Sequence, residues 1–281
     1  MTQKIGVIGA GTMGLGIAQI CGMAGYSTKL FDISADALNK AQVAIQNNIR
    51  KGIEKGKVHE RMLELAENNI SYTTSLEEIK SDFIIEAIIE KLEIKKEVFT
   101  KLEDINPPAT ILASNTSSIP ITRIANGLKH PERIVGMHFF NPAHIMKLVE
   151  VIRGAATNQR TLDKTVELAQ SLSKVPVVAQ DSPGVIVNRV ARHFYVESLK
   201  ILEEQAASVE DIDRLMRSAG FKMGPFELMD LIGVDTNFSV TESMFNAFYQ
   251  DAKFRPSRIQ KQKVDAGHHG RKTGKGFYDY S

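Results

Sequence analysis

The chain has 281 residues, 43% of them apolar and 24% charged, with a net charge of +2. That length suits two domains of unequal size, and the composition lies outside the low-hydropathy, high-charge regime of disorder. The near balance of charge gives no general attraction to nucleic acid or a membrane surface, and no stretch approaches the apolar length that spans a bilayer.

A single cysteine, Cys21, excludes an internal disulfide framework and a multi-thiolate zinc site, which suits a reducing, cytoplasmic compartment. Met1 to Gly6 lacks the charged, then long apolar, pattern of a secretory signal, so the first apolar run is expected to belong to the fold.

Lys4 to Gly9 is a short continuous apolar run ending in glycine, and Met13 to Gly25 then shows helical apolar spacing. A second strand, Ser27 to Phe31, closes on Asp32, and Ser34 offers an N-cap to a long helix reaching Gly56. Further strands are expected at Ile70 to Tyr72, Phe83 to Glu86, Thr110 to Ala113, Ile134 to His138, Lys147 to Val151 and Val175 to Val178. Helical patterns between most of these predict parallel crossovers, while the short link from Phe139 to Met146 predicts some antiparallel pairing. Beyond Asp181-Ser-Pro-Gly184 strand alternation stops: Val185 to Gln205 is amphipathic, and helices broken at Gly220, Gly224-Pro225 and Gly233 follow. The expected architecture is α/β, a doubly wound, mostly parallel Rossmann-type sheet over 1–183, followed by a smaller all-helical domain over 184–281.

Gly9-Ala-Gly11-Thr-Met-Gly14 stands between a strand and a helix, and Asp32 ends the next strand. In that setting Gly9 permits a tight turn, Gly11 lets the backbone approach a pyrophosphate, and Gly14 lets the helix pack close to the sheet. Asp32 would grip the adenosine ribose; its charge repels a 2′-phosphate and no arginine follows it, which favours NAD over NADP. The bland alternative is a glycine turn without a ligand.

The chain resembles the short-chain L-3-hydroxyacyl-CoA dehydrogenase family over its whole length, and is similar in particular to the bacterial 3-hydroxybutyryl-CoA members. The resemblance rests on Gly9 to Gly14 with Asp32, Glu86-Ala-Ile-Ile-Glu90, Ala113-Ser-Asn-Thr-Ser-Ser118, Gly136-Met-His-Phe-Phe-Asn-Pro142 and Lys147-Leu-Val-Glu150. It extends through Asp181 to Gly184 with Asn188-Arg189, Met223 to Leu228 and Lys272 to Tyr278. It implies NAD as cofactor, acetoacetyl-CoA and 3-hydroxybutyryl-CoA as substrates, no metal, and a homodimer formed through the helical domain, for which Leu228, Met229, Leu231 and Ile232 are available. It also implies a catalytic group of Ser117, His138, Glu150 and Asn188, with Thr12, Met13, Glu90, Lys95 and Asn115 joining the glycines and Asp32 around the cofactor.

The chemistry of these residue types agrees. Hydride leaves carbon 3 readily only if the hydroxyl proton leaves too, and a neutral imidazole, His138, suits that proton. A carboxylate, Glu150, can fix the ring's tautomer and stabilise its protonated form. Ser117 lacks the glycine-flanked elbow of a serine hydrolase and reads as a hydrogen-bond donor to the substrate oxygen; Asn188 can orient the substrate or His138. Taken alone, each of these residues has an ordinary structural explanation, as do Lys91 to Lys96 as a solvated helix face. Coenzyme A carries phosphates, and Lys51 and Lys57 near the end of the long second helix are candidates for them, although the helix dipole favours lysines there without any ligand. His268 and His269 have no acidic or thiolate companions and read as tail structure, and Cys21 as a buried apolar residue. Two rival functions stand beside this one: a dehydrogenase of free 3-hydroxy acids, and a nucleotide-binding sensor that keeps the fold without turnover.

Overall fold

The computed structural model describes residues 3–280, which divide into two compact units between Ser182 and Pro183. In chain order the first unit contains β1 (Lys4–Ile8), α1 (Thr12–Met23), β2 (Ser27–Phe31), α2 (Ala35–Glu54), α3 (Arg61–Asn69), β3 (Ile70–Thr73), β4 (Phe83–Glu86) and α4 (Leu92–Ile105). It continues with β5 (Ile111–Ser114), α5 (Ile121–Ala125), β6 (Ile134–Phe139), β7 (Leu148–Arg153), α6 (Gln159–Ser171) and β8 (Val175–Gln180).

One eight-stranded sheet runs β3-β2-β1-β4-β5-β6-β7-β8, a mostly parallel Rossmann-like sheet. The central strands are continuous apolar runs because helices cover both faces of such a sheet; β4, β5 and β6 are buried along their whole length. Only β6 and β7 pair antiparallel, since the few residues between them cannot carry a crossover helix. α6 then returns the chain for β8 to pair parallel with β7 at the sheet edge, where Pro176 costs no bond to a further strand. Cys21 is fully buried in α1, and burial pushes its thiol up to about 12 against a lowering influence from Lys174.

Sheet polarity positions the chemistry. β1, β2, β4, β5 and β6 are mutually parallel, so Gly9, Asp32, Glu86, Ser114 and His138 all fall at one edge, where their strands end. Ser34 caps α2 as expected, accepting from the Ala37 N–H, and starts that helix just after Asp32.

The second unit is built from α7 (Val187–Glu203), α8 (Val209–Ser218), α9 (Pro225–Ile232), α10 (Val234–Ala247) and α11 (Arg258–Asp265). Its core gathers Tyr195, Leu199, Ile212, Phe226 and Met229. Met229 therefore is not available for an interface: it lies three residues after Phe226, on the inward face of α9, and only Leu231 and Ile232 of the expected group are exposed. Two buried carboxylates organise the unit. Asp213 accepts the Phe226 and Glu227 N–H groups at the start of α9 and the Tyr278 hydroxyl. Asp230 accepts the Phe277 and Tyr278 N–H groups and the Tyr280 hydroxyl, fastening the last residues of the chain.

No helix among the described residues is long and apolar enough to cross a membrane, and none of them form a cluster of three groups able to hold a metal.

Candidate active site

The nucleotide half begins at the β1–α1 turn. Gly9 has φ +100°, a region that strains any side chain, and a Cβ on it would lie 2.7 Å from the Ala87 carbonyl oxygen. A Cβ on Gly14 would lie 1.7 Å from the Gly9 oxygen, so α1 can start this close to the sheet only with glycine there. At Gly11, by contrast, the Cβ position is open, which leaves its backbone clear for a pyrophosphate in front of the helix that begins with Thr12 and Met13.

Asp32 accepts the Ala10 N–H on one oxygen (2.8 Å) and the Ser34 N–H on the other (2.9 Å). Each oxygen keeps a second acceptor site for a ribose hydroxyl. Turn, helix start and carboxylate thus form a cradle that fits NAD.

A second cluster lies at the ends of β4 and β5. Glu86 is completely buried, and its oxygens accept the Lys95 ammonium (2.6 Å), the Ile88 N–H and the Ser114 hydroxyl (2.6 Å). Lys95, 1% exposed, also reaches Glu90 at 3.2 Å. It is therefore an internal bridge between two carboxylates, not part of a solvated helix face. The other Glu90 oxygen gathers the Thr116 and Ser118 hydroxyls and the Ser117 and Ser118 N–H groups. Burial works to raise the Glu90 carboxyl, but Lys95 and the hydroxyls outweigh it and hold the group below its ordinary range. Two ion pairs thus fix the turn that carries Ser117, whose own hydroxyl has no partner among the described residues.

His138 and Glu150 face each other across the β6–β7 ladder, in register, and this pairing brings Nδ1 to 2.8 Å from Oε2. Both are buried, His138 at 7% and Glu150 at 1% exposure, and the Phe140 ring leans on the imidazole with centroids 4.7 Å apart. With a proton on Nδ1 donated to the carboxylate, Nε2 is left as the acceptor. Asn115 secures the strand end: its backbone N–H donates to the Glu86 carbonyl, and its side-chain oxygen accepts the Phe139 N–H at 2.8 Å.

The first unit therefore gathers Ser117, Glu90 and Lys95 into one cluster past the ends of β4 and β5, and Asn115 ties the end of β5 to β6, the strand that carries His138. Asn188 belongs to the second unit, in the first turn of α7 and half-buried. Lys51 and Lys57 are exposed around the C-terminal end of α2. Sequence reasoning gave no role to Glu86 or Ser114. The signal was an acid closing an otherwise apolar strand, nine positions before Lys95, a spacing with meaning only once β4 and α4 are folded together.

Residues 4–182 match the family described as 3-hydroxyacyl-CoA dehydrogenase, NAD binding domain, and residues 184–280 its C-terminal domain. The chain is 46% identical over 280 residues to the 3-hydroxyadipyl-CoA dehydrogenase of Escherichia coli, covering 99% of this chain and 59% of that protein. It is 41% identical to a probable 3-hydroxybutyryl-CoA dehydrogenase of Bacillus subtilis, covering 99% and 97%. The crystal structure of (S)-3-hydroxybutyryl-CoA dehydrogenase from Ralstonia eutropha, 38% identical, is similar over the whole of both chains with a TM-score of 0.95.

Proposed function

The chain belongs to the 3-hydroxyacyl-CoA dehydrogenase family, and from that premise we propose that it interconverts (3S)-3-hydroxyacyl-CoA and 3-ketoacyl-CoA thioesters with NAD as cofactor. Short acyl chains are favoured. The relatives' names cover a neutral chain, 3-hydroxybutyryl, and one that ends in a second carboxylate, 3-hydroxyadipyl.

The observation that carries this reading is the buried 2.8 Å contact between His138 and Glu150 at the carboxyl edge of a sheet whose β1 turn is shaped for a dinucleotide. NAD, when bound, supplies the acceptor for the hydride leaving carbon 3. In oxidation His138 takes the hydroxyl proton on Nε2, and Glu150, bonded to Nδ1, stabilises the imidazolium that results; in reduction the same nitrogen returns the proton. The Ser117 hydroxyl, on a turn held by Glu90 and Lys95, donates to the substrate oxygen, and Asn188 orients the substrate. Asp32 takes the adenosine ribose, Asn115, Glu90 and Lys95 shape the nicotinamide end, and Lys51 and Lys57 meet coenzyme A phosphates.

Two finer points complete the reading. The exposed Leu231 and Ile232 support a homodimer through the helical unit, and the lone reduced cysteine supports a cytoplasmic location.

The deciding measurement is NADH oxidation with acetoacetyl-CoA beside acetoacetate. The native chain is expected to reduce the thioester and ignore the free acid, and His138→Ala to lose about 10²–10⁴-fold in kcat while still binding NADH. Equal rates on the free acid remove the coenzyme A assignment. NADH binding without turnover on any acyl-CoA favours the sensor.

A further inference from the structure

The second unit buries a cation that no acid answers. Arg192, on α7, is 3% exposed and makes no ion pair with any carboxylate among the described residues. Its Nη1 is fully engaged by α10, donating to the Asn237 carbonyl (2.9 Å), the Asn237 side-chain oxygen (3.2 Å) and the Thr241 hydroxyl (2.9 Å). Nε is enclosed and has no partner. Nη2 has none either among the described residues, and it is not fully enclosed. The guanidinium is thus clamped along one side, with its central carbon 5.1 Å from the centroid of the Tyr195 ring. Nη2, on the opposite edge, is the nitrogen left open to donate a charge-assisted hydrogen bond to a carboxylate.

A purely structural link to α10 needs no charge, since a neutral amide could donate to the same oxygens. Burying a guanidinium without a counter-charge costs several kcal/mol, and burial accordingly lowers its pKa to about 10. An arriving carboxylate would recover that cost, because the cation is already desolvated and oriented before binding.

Position identifies the anion. Arg192 follows Asn188 by four residues, on the same face of α7 and about 6 Å further along the backbone axis. In an extended chain, three carbon–carbon bonds from carbon 3 to a terminal carboxyl span about 4 Å, and a charge-assisted hydrogen bond adds about 2.8 Å. A short acyl chain whose oxygen at carbon 3 is held by Asn188 is thus of the right order of length for a terminal carboxylate to lie one helical turn along α7, where Arg192 stands.

We propose that Arg192 receives the terminal carboxylate of a dicarboxylic 3-hydroxyacyl-CoA, making the helical unit a selector for acyl chains that end in a charge. This rests on the dehydrogenase reading above and on the role given there to Asn188.

The test compares NAD reduction with 3-hydroxyadipyl-CoA and with 3-hydroxyhexanoyl-CoA, which has the same length and no carboxylate. The native chain is expected to favour the acid in kcat/KM on the order of tenfold or more, mainly through KM. Arg192→Met should bring that ratio toward one, and Arg192→Lys should keep part of it. Equal kcat/KM values for the native chain, or a preference that survives Arg192→Met, overturn the proposal and leave the dehydrogenase standing. No turnover on either thioester removes both. The native comparison decides even if the variants fail to fold.

Discussion

The two units handle the buried charges around their sites differently. In the first, Lys95 lies between Glu86 and Glu90, and Glu150 holds the imidazole of His138; elsewhere in that unit, Lys174 is held by the Ala143 and Met146 carbonyls. In the second, Asp213 and Asp230 are surrounded by backbone N–H groups and tyrosine hydroxyls, and Arg192 by carbonyl and hydroxyl oxygens. Charges that exist in pairs depend on each other, so removing one strands its partner in a medium that solvates it poorly. Charges held by neutral dipoles do not depend on a counter-ion. The first arrangement suits a site that fixes and moves a proton; the second suits a scaffold, and leaves one cation able to accept a partner from outside.

The strongest way to break this distinction is to remove the shared cation. Lys95→Met is expected to lower stability by about 3–5 kcal/mol, since Glu86 is then buried and unpaired. Adding Glu86→Gln should restore more than half of that loss. Urea unfolding of the two variants and the native chain measures both; a double variant as unstable as the single one means that the pair is not coupled.

The catalytic pair comes next. Glu150→Gln keeps the shape but removes the charge that steadies the imidazolium, and a loss on the order of 10²-fold or more in kcat is expected with little change in NADH affinity. Steady-state rates beside NADH titration separate the two effects.

In the second unit the expected effect is smaller. Asp230→Asn replaces one acceptor oxygen with an amide donor, so one of the backbone N–H groups it holds loses its acceptor; no counter-charge is stranded, and a loss of about 1–3 kcal/mol should loosen the C-terminal residues first. Hydrogen exchange at Phe277 and Tyr278 would report it. A loss as large as that of Lys95→Met would erase the contrast between the units.

The smallest effect is a pH dependence. The Glu90 carboxyl is held below its ordinary value of 4.5, so the folded state favours its charged form. Its contribution is therefore complete above that pH and is lost as pH falls through the lower, folded value. The stability difference between the native chain and Glu90→Gln should narrow on acidification; a gap that stays constant into the acid range would show that charge plays no part in holding the Ser117 turn.

Much of the fold was legible because its signals are local. Strands β1 and β4 are short, mostly apolar runs bounded by glycine or an acid, β2 closes on Asp32, Ser34 caps α2, and the brief link after Phe139 forces the antiparallel β6–β7 pair. His138 and Glu150 could be paired in advance from the family resemblance and their place on adjacent expected strands; the structure sets them in register. Lys95 read equally well as a surface lysine, since helical spacing does not show which neighbour a long side chain will meet. Met229 seemed free on an apolar helix for the same reason. Arg192 gave no signal at all: one arginine in an amphipathic helix is commonplace, and its isolation from the acids among the described residues exists only after α7 and α10 pack.

The sequence by itself determined the order of elements, the glycine turn with Asp32, and the division into a sheet unit and a helical unit, because strand, cap and turn preferences act over a few residues. Tertiary structure alone decided which charges are buried together and which are held by neutral groups. Desolvation belongs to a place in the fold, and a side chain acquires it only from what is packed around it.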